Sequence, residues 1–184
     1  MLTGKRLFSC LAGTALAASL AACGGGDGGG GPTTPATPVP TPTPCTQTTI
    51  VQDSGGIPGK TLVYDDFSVP DSGRLDVTMD WTFTDSLIGF YLVPANTCTI
   101  DEFNAKTCNF LIRSEVTTKP RKISTSDFAA GNYRWMIGNY SDVQESVSLQ
   151  IVLSKGNCPT LGGGPSASQR TDESWPALER AQRH

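Results

Sequence analysis

The chain has 184 residues, with 14 Lys and Arg against 17 Asp and Glu, and its one histidine is His184. A net charge of −3 without an extended basic cluster argues against nucleic acid as a partner. Because no histidine precedes position 184, neither a Ser–His–Asp triad nor a histidine-ligated zinc or iron site is expected in the domain predicted below.

Residues 1–22 have the pattern of an export signal. Lys5 and Arg6 precede an apolar, Ala- and Leu-rich run over residues 7–20, which is typical of a signal peptide. Outside this run, no stretch is apolar for long enough to span a bilayer. We expect residues 1–22 to be removed on export, and the loss of Lys5 and Arg6 leaves a net charge of about −5.

Positions 20–23 read Leu-Ala-Ala-Cys directly after this run and resemble the lipobox of bacterial lipoproteins. The resemblance implies cleavage before Cys23, a diacylglycerol on its thiol and a further acyl chain, such as palmitate, on its amine. Two or three acyl chains anchor a protein stably to a membrane without spanning it. In a host with two membranes, Gly24 in place of Asp resembles the pattern for outer-membrane sorting. The alternative is an ordinary secretory signal followed by a chance cysteine.

Residues 23–44 are predicted to form a disordered tether between the lipid and the folded domain. Glycine dominates positions 24–31, and proline alternates with threonine, alanine and valine over 32–44, which favours extended polyproline II. At about 3.1 Å per residue, the proline-rich part spans roughly 40 Å. Recognition of the Pro-Thr run by a partner, or glycosylation of its threonines, is the alternative to a simple spacer.

The central element of the domain predicted over residues 45–158 is a strand at 75–83, where apolar and polar residues alternate without a break. Side chains on a strand point alternately to opposite faces, so one face is predicted to be buried and the other, with Asp76 and Asp80, to face water. These two carboxylates are expected to lie roughly 13 Å apart, beyond the usual separations for glycoside hydrolysis.

Further short runs read as strands, with a turn expected at 53–56 and a helical turn capped by Thr99 at 99–105. Several short strands without alternating long helices predict an all-β fold, an antiparallel β-sandwich or jelly roll of seven to eight strands. The run at 87–93 is apolar on both faces, which indicates a central strand. The further runs are 48–52, 61–67, 87–93, 110–116, 121–124, 133–140 and 146–154. The predicted core comprises Leu75, Val77, Met79, Trp81, Phe83, Phe90, Tyr133, Trp135, Val147, Leu149 and Ile151.

Three segments resemble the bacterial pre-peptidase C-terminal domain, a small β-sandwich appended to secreted enzymes and surface proteins. They are the strand at 75–83, Leu-Ile-Gly-Phe-Tyr-Leu at 87–92, and Phe-Ala-Ala-Gly-Asn-Tyr at 128–133 with the closing Ser-Val-Ser-Leu strand at 146–149. The resemblance covers roughly residues 73–154. It implies a β-sandwich with an accessory or binding role.

Four cysteines remain in the exported domain, where disulfides persist. Three pairings are possible, and we predict Cys98–Cys108 across a short loop and Cys45–Cys158 across the ends of the domain. A metal site or a reactive thiol is the alternative, but no CxxC spacing is present.

Few side chains suggest a ligand site. Asp65, Asp66 and Asp71 are weak candidates for calcium, because oxygen ligands from loops suffice for that ion; aspartate in turns more often serves the backbone. Tyr64, Tyr91 and Tyr140 are candidates for a sugar-binding face, with core packing as the commoner role. The basic residues at 119–122 are expected in a solvated turn.

Residues 159–184 are predicted to form a flexible tail, with a possible short helix at 175–182 that Ser174 would cap. Docking of this helix on a partner is the alternative. The whole pattern predicts a non-catalytic, membrane-anchored surface lipoprotein without a cofactor, whose partners are membrane lipid at Cys23 and an unknown protein or glycan. A carbohydrate- or calcium-dependent adhesion module, and an accessory domain for a secreted hydrolase, are the alternative functions.

Overall fold

The computed structural model describes residues 43–160 and 176–184, which carry nine strands and one short helix. The predicted signal peptide, Cys23 and the tether up to residue 42 lie outside the described residues. Within the described ranges, no helix has the length and apolar character needed to cross a membrane. In chain order the elements are β1 (Thr46–Ile57), β2 (Thr61–Val69), β3 (Gly73–Trp81), β4 (Ile88–Pro94), α1 (Ile100–Asn104), β5 (Ile112–Val116), β6 (Arg121–Phe128), β7 (Gly131–Asn139), β8 (Glu145–Lys155) and β9 (Arg180–Arg183).

The strands form two sheets, with the orders β1-β8-β3-β6 and β5-β4-β7-β2-β9. The first eight pair antiparallel as β1 with β8, β2 with β7, β3 with β6 and β4 with β5. These are the pairings of one long hairpin rolled into two layers, and β3–β8 and β4–β7 complete the sheets. This is the topology of a jelly roll, so the predicted fold class is confirmed.

Alternating side chains of the two sheets fill the main core. In β3 the inward residues Leu75, Val77, Met79 and Trp81 are all buried, as the period of two predicts. Of the other predicted core residues, most are buried and Tyr133 is half-buried against the core. The buried ones are Phe90, Trp135, Val147, Leu149 and Ile151.

The prediction that Phe83 belongs to the core is wrong. Strand β3 ends at Trp81, and the Phe83 side chain is 52% exposed. The physical reason is the buried Glu145 carboxylate, which accepts the backbone N–H groups of Thr82 (3.0 Å) and Phe83 (3.1 Å) and so replaces the strand pairing at this point.

The turn predicted at 53–56 is also wrong, because β1 continues through these residues to Ile57. Asp53, Ser54, Gly55 and Gly56 pair in register with β8. The ladder of hydrogen bonds along β8 outweighs the local preference of Asp, Ser and Gly for turns.

A second apolar cluster covers the outer face of the larger sheet. Tyr91 of β4 and Met136 of β7 point outward and pack with Phe103 of α1 and with Leu178. Strand β4 is thus buried on both faces, as predicted. Helix α1 begins with the predicted capping box, in which Thr99 and Glu102 exchange hydrogen bonds.

Residues 176–184 do not form the predicted helix or a flexible tail. Strand β9 pairs parallel with β2, and the Asn104 amide both donates to and accepts from the Leu178 backbone at 2.9 Å. Leu178 is 2% exposed. Pairing with β2 and burial of Leu178 satisfy the backbone better than an isolated helical turn.

Both predicted disulfides are present. Cys45–Cys158 and Cys98–Cys108 have Cα–Cα distances of 4.6 and 5.2 Å. The first joins the start of β1 to the residues after β8, and the second closes the loop that contains α1.

Candidate functional site: a polar groove on the outer face of the β1-β8-β3-β6 sheet

The two ends of the β1-β8-β3-β6 sheet carry different features. We call the end with the Cys45–Cys158 disulfide the clasp end, and the end where β1 and β3 finish and β8 begins the open end. At roughly 3.3 Å per residue, Thr46 and Ser54 lie about 26 Å apart along β1. A ligand at the open end is therefore far from the point at which the chain enters the domain.

The clasp end is closed by a polar network around Asp76. Arg74 donates to its carboxylate from Nη2 at 2.9 Å, and the Ser124 and Ser154 hydroxyls donate at 2.7 Å each. Burial tends to raise the pKa of Asp76, but these hydrogen bonds together lower the pKa below its ordinary value. The expectation that Asp76 faces water is wrong, because these donors replace its hydration. Arg74 also donates to the Cys158 carbonyl at 3.0 Å, which links the network to the disulfide.

Two buried polar side chains fix the loops of the open end. Besides the two backbone N–H groups described above, Glu145 accepts a hydrogen bond from the Ser86 hydroxyl. The Asn139 side-chain amide donates to the carbonyls of Ile57 (3.0 Å) and Val143 (2.8 Å). These contacts hold the ends of β1, β3 and β7 in fixed positions.

The open end carries a groove of about 540 Å³ across three neighbouring strands. The strand register aligns Ser54 of β1, Ser148 of β8 and Asp80 of β3 in one row. A second row aligns Gly56, Ser146 and Thr82 at the end of the sheet. Side chains of both rows point to the outer face, because the residues between them, such as Val147 and Trp81, point into the core. Because the side chains of these two rows are small, they leave the groove above the sheet.

Polar residues border this groove. Toward the clasp end, the next row carries Gln52 and Gln150, whose side-chain amides hydrogen-bond at 3.3 Å. Toward the open end, the Gln144 amide lies against Gly56, where a Cβ would come within 2.7 Å of its nitrogen. Thus the space over Gly56 depends on the absence of a side chain there.

The charges at the groove are balanced. Lys119 lies 3.2 Å from the Asp80 carboxylate and also donates to the Thr82 carbonyl at 3.1 Å. Its ammonium lies 5.9 Å from the centre of the Trp81 ring, a cation–π distance. The ion pair leaves the groove with hydroxyl and amide groups and no net charge.

The remaining predicted candidates lie elsewhere. Asp65, Asp66 and Asp71 each face a cation, namely Arg183 at 2.8 Å, Arg134 at 2.8 Å and Lys155 at 3.1 Å respectively. The hydrogen bond from Arg134 lowers the pKa of Asp66 below its ordinary value. In the described ranges, no three side chains of the metal-binding types come together. The calcium hypothesis therefore gains no support from their positions.

The three candidate tyrosines do not form an exposed row. Tyr91 and Tyr140 are buried and their hydroxyls hydrogen-bond at 2.5 Å, and burial raises the pKa of both phenols. Tyr64 is half-buried beneath the Arg134 guanidinium, at 4.6 Å from the ring centre. The basic run at 119–122 is likewise not a wholly solvated turn, because Arg121 is 2% exposed and burial lowers the pKa of its guanidinium to about 10.

His184 is docked rather than placed on a loose tail. Its Nδ1 lies 3.1 Å from Asp53 Oδ2, and its backbone N–H donates to the Tyr64 carbonyl at 2.9 Å. The imidazole also occupies the space beside Gly55, where a Cβ would collide with it. Within residues 43–160 and 176–184, no serine hydroxyl hydrogen-bonds to this imidazole.

The sequence alone does not predict the groove, although its residues are visible there. Ser146 and Ser148 appear as the outward positions of an alternating strand, and 53–56 reads as a turn. Only the register between β1, β8 and β3 brings these small residues together. The signal that was available is the unusual smallness of the outward residues at the start of β8.

Fold and disulfides together define a disulfide-linked, all-β jelly-roll domain. No family model matches the chain, and no curated protein matches it. The crystal structure of the Yersinia pseudotuberculosis-derived mitogen (YPM) is similar at 16% identity over 65% of this chain and 100% of that chain, with a TM-score of 0.41. A structure of Desmodium yellow mottle tymovirus is similar at 14% identity over 71% and 99% of the two chains, with a TM-score of 0.27. Likenesses this distant carry no information about function.

Proposed function

We propose that the protein is a non-catalytic, lipid-anchored surface lipoprotein that displays its jelly-roll domain as a binding module. Cys23 would carry the lipid, residues 24–44 would act as the spacer, and the groove would hold the ligand. The observation that carries the proposal is the opposite placement of the chain entry and the groove on one sheet, about 26 Å apart along β1.

Two features support export and anchoring. Leu-Ala-Ala-Cys at positions 20–23 follows an apolar run and resembles a lipobox. The domain contains two disulfides, which persist in oxidising compartments. In a host with two membranes, Gly24 favours the outer membrane.

The chemistry of the groove supports binding rather than catalysis. Hydrolytic catalysis needs a nucleophile with a base in reach, or two carboxylates at a suitable spacing. Among the residues that line the described groove, Asp80 is the single carboxylate, and it is paired with Lys119. The docked His184 contacts β1 through Asp53, whose side chain alternates to the opposite face from Ser54.

Replacement of the proposed lipid-bearing cysteine tests the anchoring. In the native host, Cys23→Ser should abolish incorporation of labelled palmitate and leave residues 1–22 uncleaved, because the lipobox loses its cysteine. Cys10→Ser is the matched control, because Cys10 lies within the predicted signal peptide, and it should leave labelling and membrane location unchanged. Labelled Cys23→Ser protein, or Cys23→Ser protein cut before position 23, would contradict the proposal.

A further inference from the structure

The groove at the open end offers hydrogen-bonding groups with no net charge. Within the described part of the chain, the hydroxyls of Ser54, Ser146 and Ser148 make no hydrogen bond to protein, and Ser146 and Ser148 are exposed. Hydroxyls both donate and accept, as do the side-chain amides of Gln52 and Gln150 at the border. The surface can therefore satisfy a ligand that presents many donors and acceptors close together.

The charges and the lining of the groove exclude several ligand classes. An anionic ligand such as a phosphate needs free cations, and Lys119 is already paired with Asp80. A divalent cation needs several carboxylate or carbonyl oxygens, whereas Asp80 is the single carboxylate lining the groove. A lipid or an apolar peptide needs an apolar lining, and the outward residues here are Ser, Thr, Asp and Gly.

An exposed aromatic residue follows the second row in the sequence. Phe83 follows Thr82 directly, and its side chain is 52% exposed while its backbone N–H is held by Glu145. An aromatic face packs well against the C–H groups of a ring that carries its hydroxyls at the edge. An exposed ring that follows a hydroxyl-bearing residue of the groove can thus contact the apolar face of a sugar whose hydroxyls reach the groove.

From these observations we propose that the groove binds a neutral oligosaccharide. Hydroxyls of the sugar hydrogen-bond to Ser54, Ser148 and the Asp80 carboxylate, and one sugar ring stacks on Phe83. The volume of about 540 Å³ lies within the usual range for ligand sites. The groove is open to solvent along its length, which suits internal units of a chain rather than one enclosed monosaccharide. This inference rests on the proposed binding function and names its ligand class.

The test uses residues 23–184 with Cys23→Ser, exported behind an ordinary secretory signal in place of residues 1–22, so that binding is measured independently of anchoring. Neutral hexasaccharides (maltohexaose, cellohexaose, mannohexaose and chitohexaose) are titrated by calorimetry beside heparin and polygalacturonate as anionic probes. Binding of at least one neutral probe, unchanged between low and high salt, is the expected result. No binding to any neutral probe, or salt-dependent binding to the anionic probes alone, would overturn the ligand class while leaving the anchoring test unaffected.

Variants locate the site. Ser148→Phe fills the groove and is expected to weaken binding at least tenfold, and Phe83→Ala about fivefold or more through loss of stacking. The matched control is Ser126→Phe, which places the same side chain at an exposed position of β6 outside the groove and should leave binding unchanged. Circular dichroism shows whether each variant is folded. Equal binding by folded Ser148→Phe and wild type would rule out this groove as the sugar site.

Discussion

Arg74 and Asp76, two residues apart on β3, form an ion pair of 2.9 Å that also holds the end of the domain together. The Arg74 guanidinium donates further to the carbonyls of Cys158 (3.0 Å) and Pro159 (2.7 Å). The Cys45–Cys158 disulfide and this ion pair therefore fix the same segment by covalent and polar contacts. Because the disulfide joins the two segments, mechanical force applied at residue 45 is transmitted both to β1 and to the segment after β8.

Loss of the Asp76 charge is expected to destabilise the domain strongly. Asp76→Asn leaves the Arg74 guanidinium without its buried partner, which typically costs about 3 kcal/mol or more of unfolding free energy. Urea unfolding at pH 7 measures this change. The control is Asp71→Asn, because the Asp71–Lys155 pair is largely exposed and typically contributes about 1 kcal/mol or less. Equal losses of unfolding free energy in the two variants would contradict a buried Arg74–Asp76 ion pair.

The same carboxylate predicts how stability depends on pH. The pKa of Asp76 is lowered from 3.8 in the folded protein, so its contribution is fully present above the unfolded pKa and is lost as pH falls through the folded pKa. The difference in unfolding free energy between wild type and Asp76→Asn should therefore be largest near neutral pH. It should shrink below about pH 4. A difference that stays constant down to pH 2 would show that Asp76 does not titrate as described.

The two disulfides are expected to contribute unequally. In the chain-entropy model, closing a loop of 113 residues stabilises by about 4.8 kcal/mol, and closing one of 10 residues by about 2.7 kcal/mol. The double replacement Cys45→Ala with Cys158→Ala should lower the urea midpoint more than Cys98→Ala with Cys108→Ala. The opposite order would mean that the α1 loop contributes more than its ring size suggests.

Trp81 and Phe83 should respond very differently to truncation, although the alternation in the sequence gives them the same face. Trp81 is 3% exposed, and Trp81→Ala should cost about 3–5 kcal/mol. Phe83→Ala should change the unfolding free energy by about 0.5 kcal/mol or less, because its side chain is 52% exposed. Thermal or urea unfolding separates these outcomes, and a large loss for Phe83→Ala would place its ring in the core.

Docking of residues 176–184 depends on Leu178. Leu178→Ala should lower the unfolding free energy by about 2–5 kcal/mol if residues 176–184 stay docked over the cavity that the substitution leaves. The loss should be smaller if these residues detach instead. In both cases hydrogen exchange at the amides of β9 should accelerate relative to wild type. Glu179→Ala, an exposed neighbour, is the control and should leave exchange unchanged. Unaltered exchange in Leu178→Ala would contradict the packing of this side chain.

The local features of the fold were predictable, and the long-range ones were not. The period of two identifies β3 and β8, and Thr99 with Glu102 identifies the start of α1, because each depends on neighbours in sequence. The end of β3 was missed because Glu145, 62 residues from Phe83, determines it. Strand β9 and the last residues of β1 depend on pairing with β2 and β8, which no local pattern reveals.

The disulfides and the groove likewise differ in how far the sequence predicts them. Counting cysteines left three pairings possible, and the predicted one, Cys98–Cys108 with Cys45–Cys158, is confirmed by the structure. The groove needs the register of Ser54, Ser148 and Asp80 on three strands. Since one step of slippage would turn every side chain to the other face, a groove of this kind cannot be deduced before the register is known.

The intact mass of the protein extracted from host membranes measures lipidation and disulfide closure in one experiment. We expect a chain that begins at Cys23, carries a diacylglycerol and at least one further acyl chain where the host acylates the amine, and lacks four hydrogens because both disulfides are closed. An unlipidated chain found in the soluble fraction, or four free thiols in the exported protein, would contradict it.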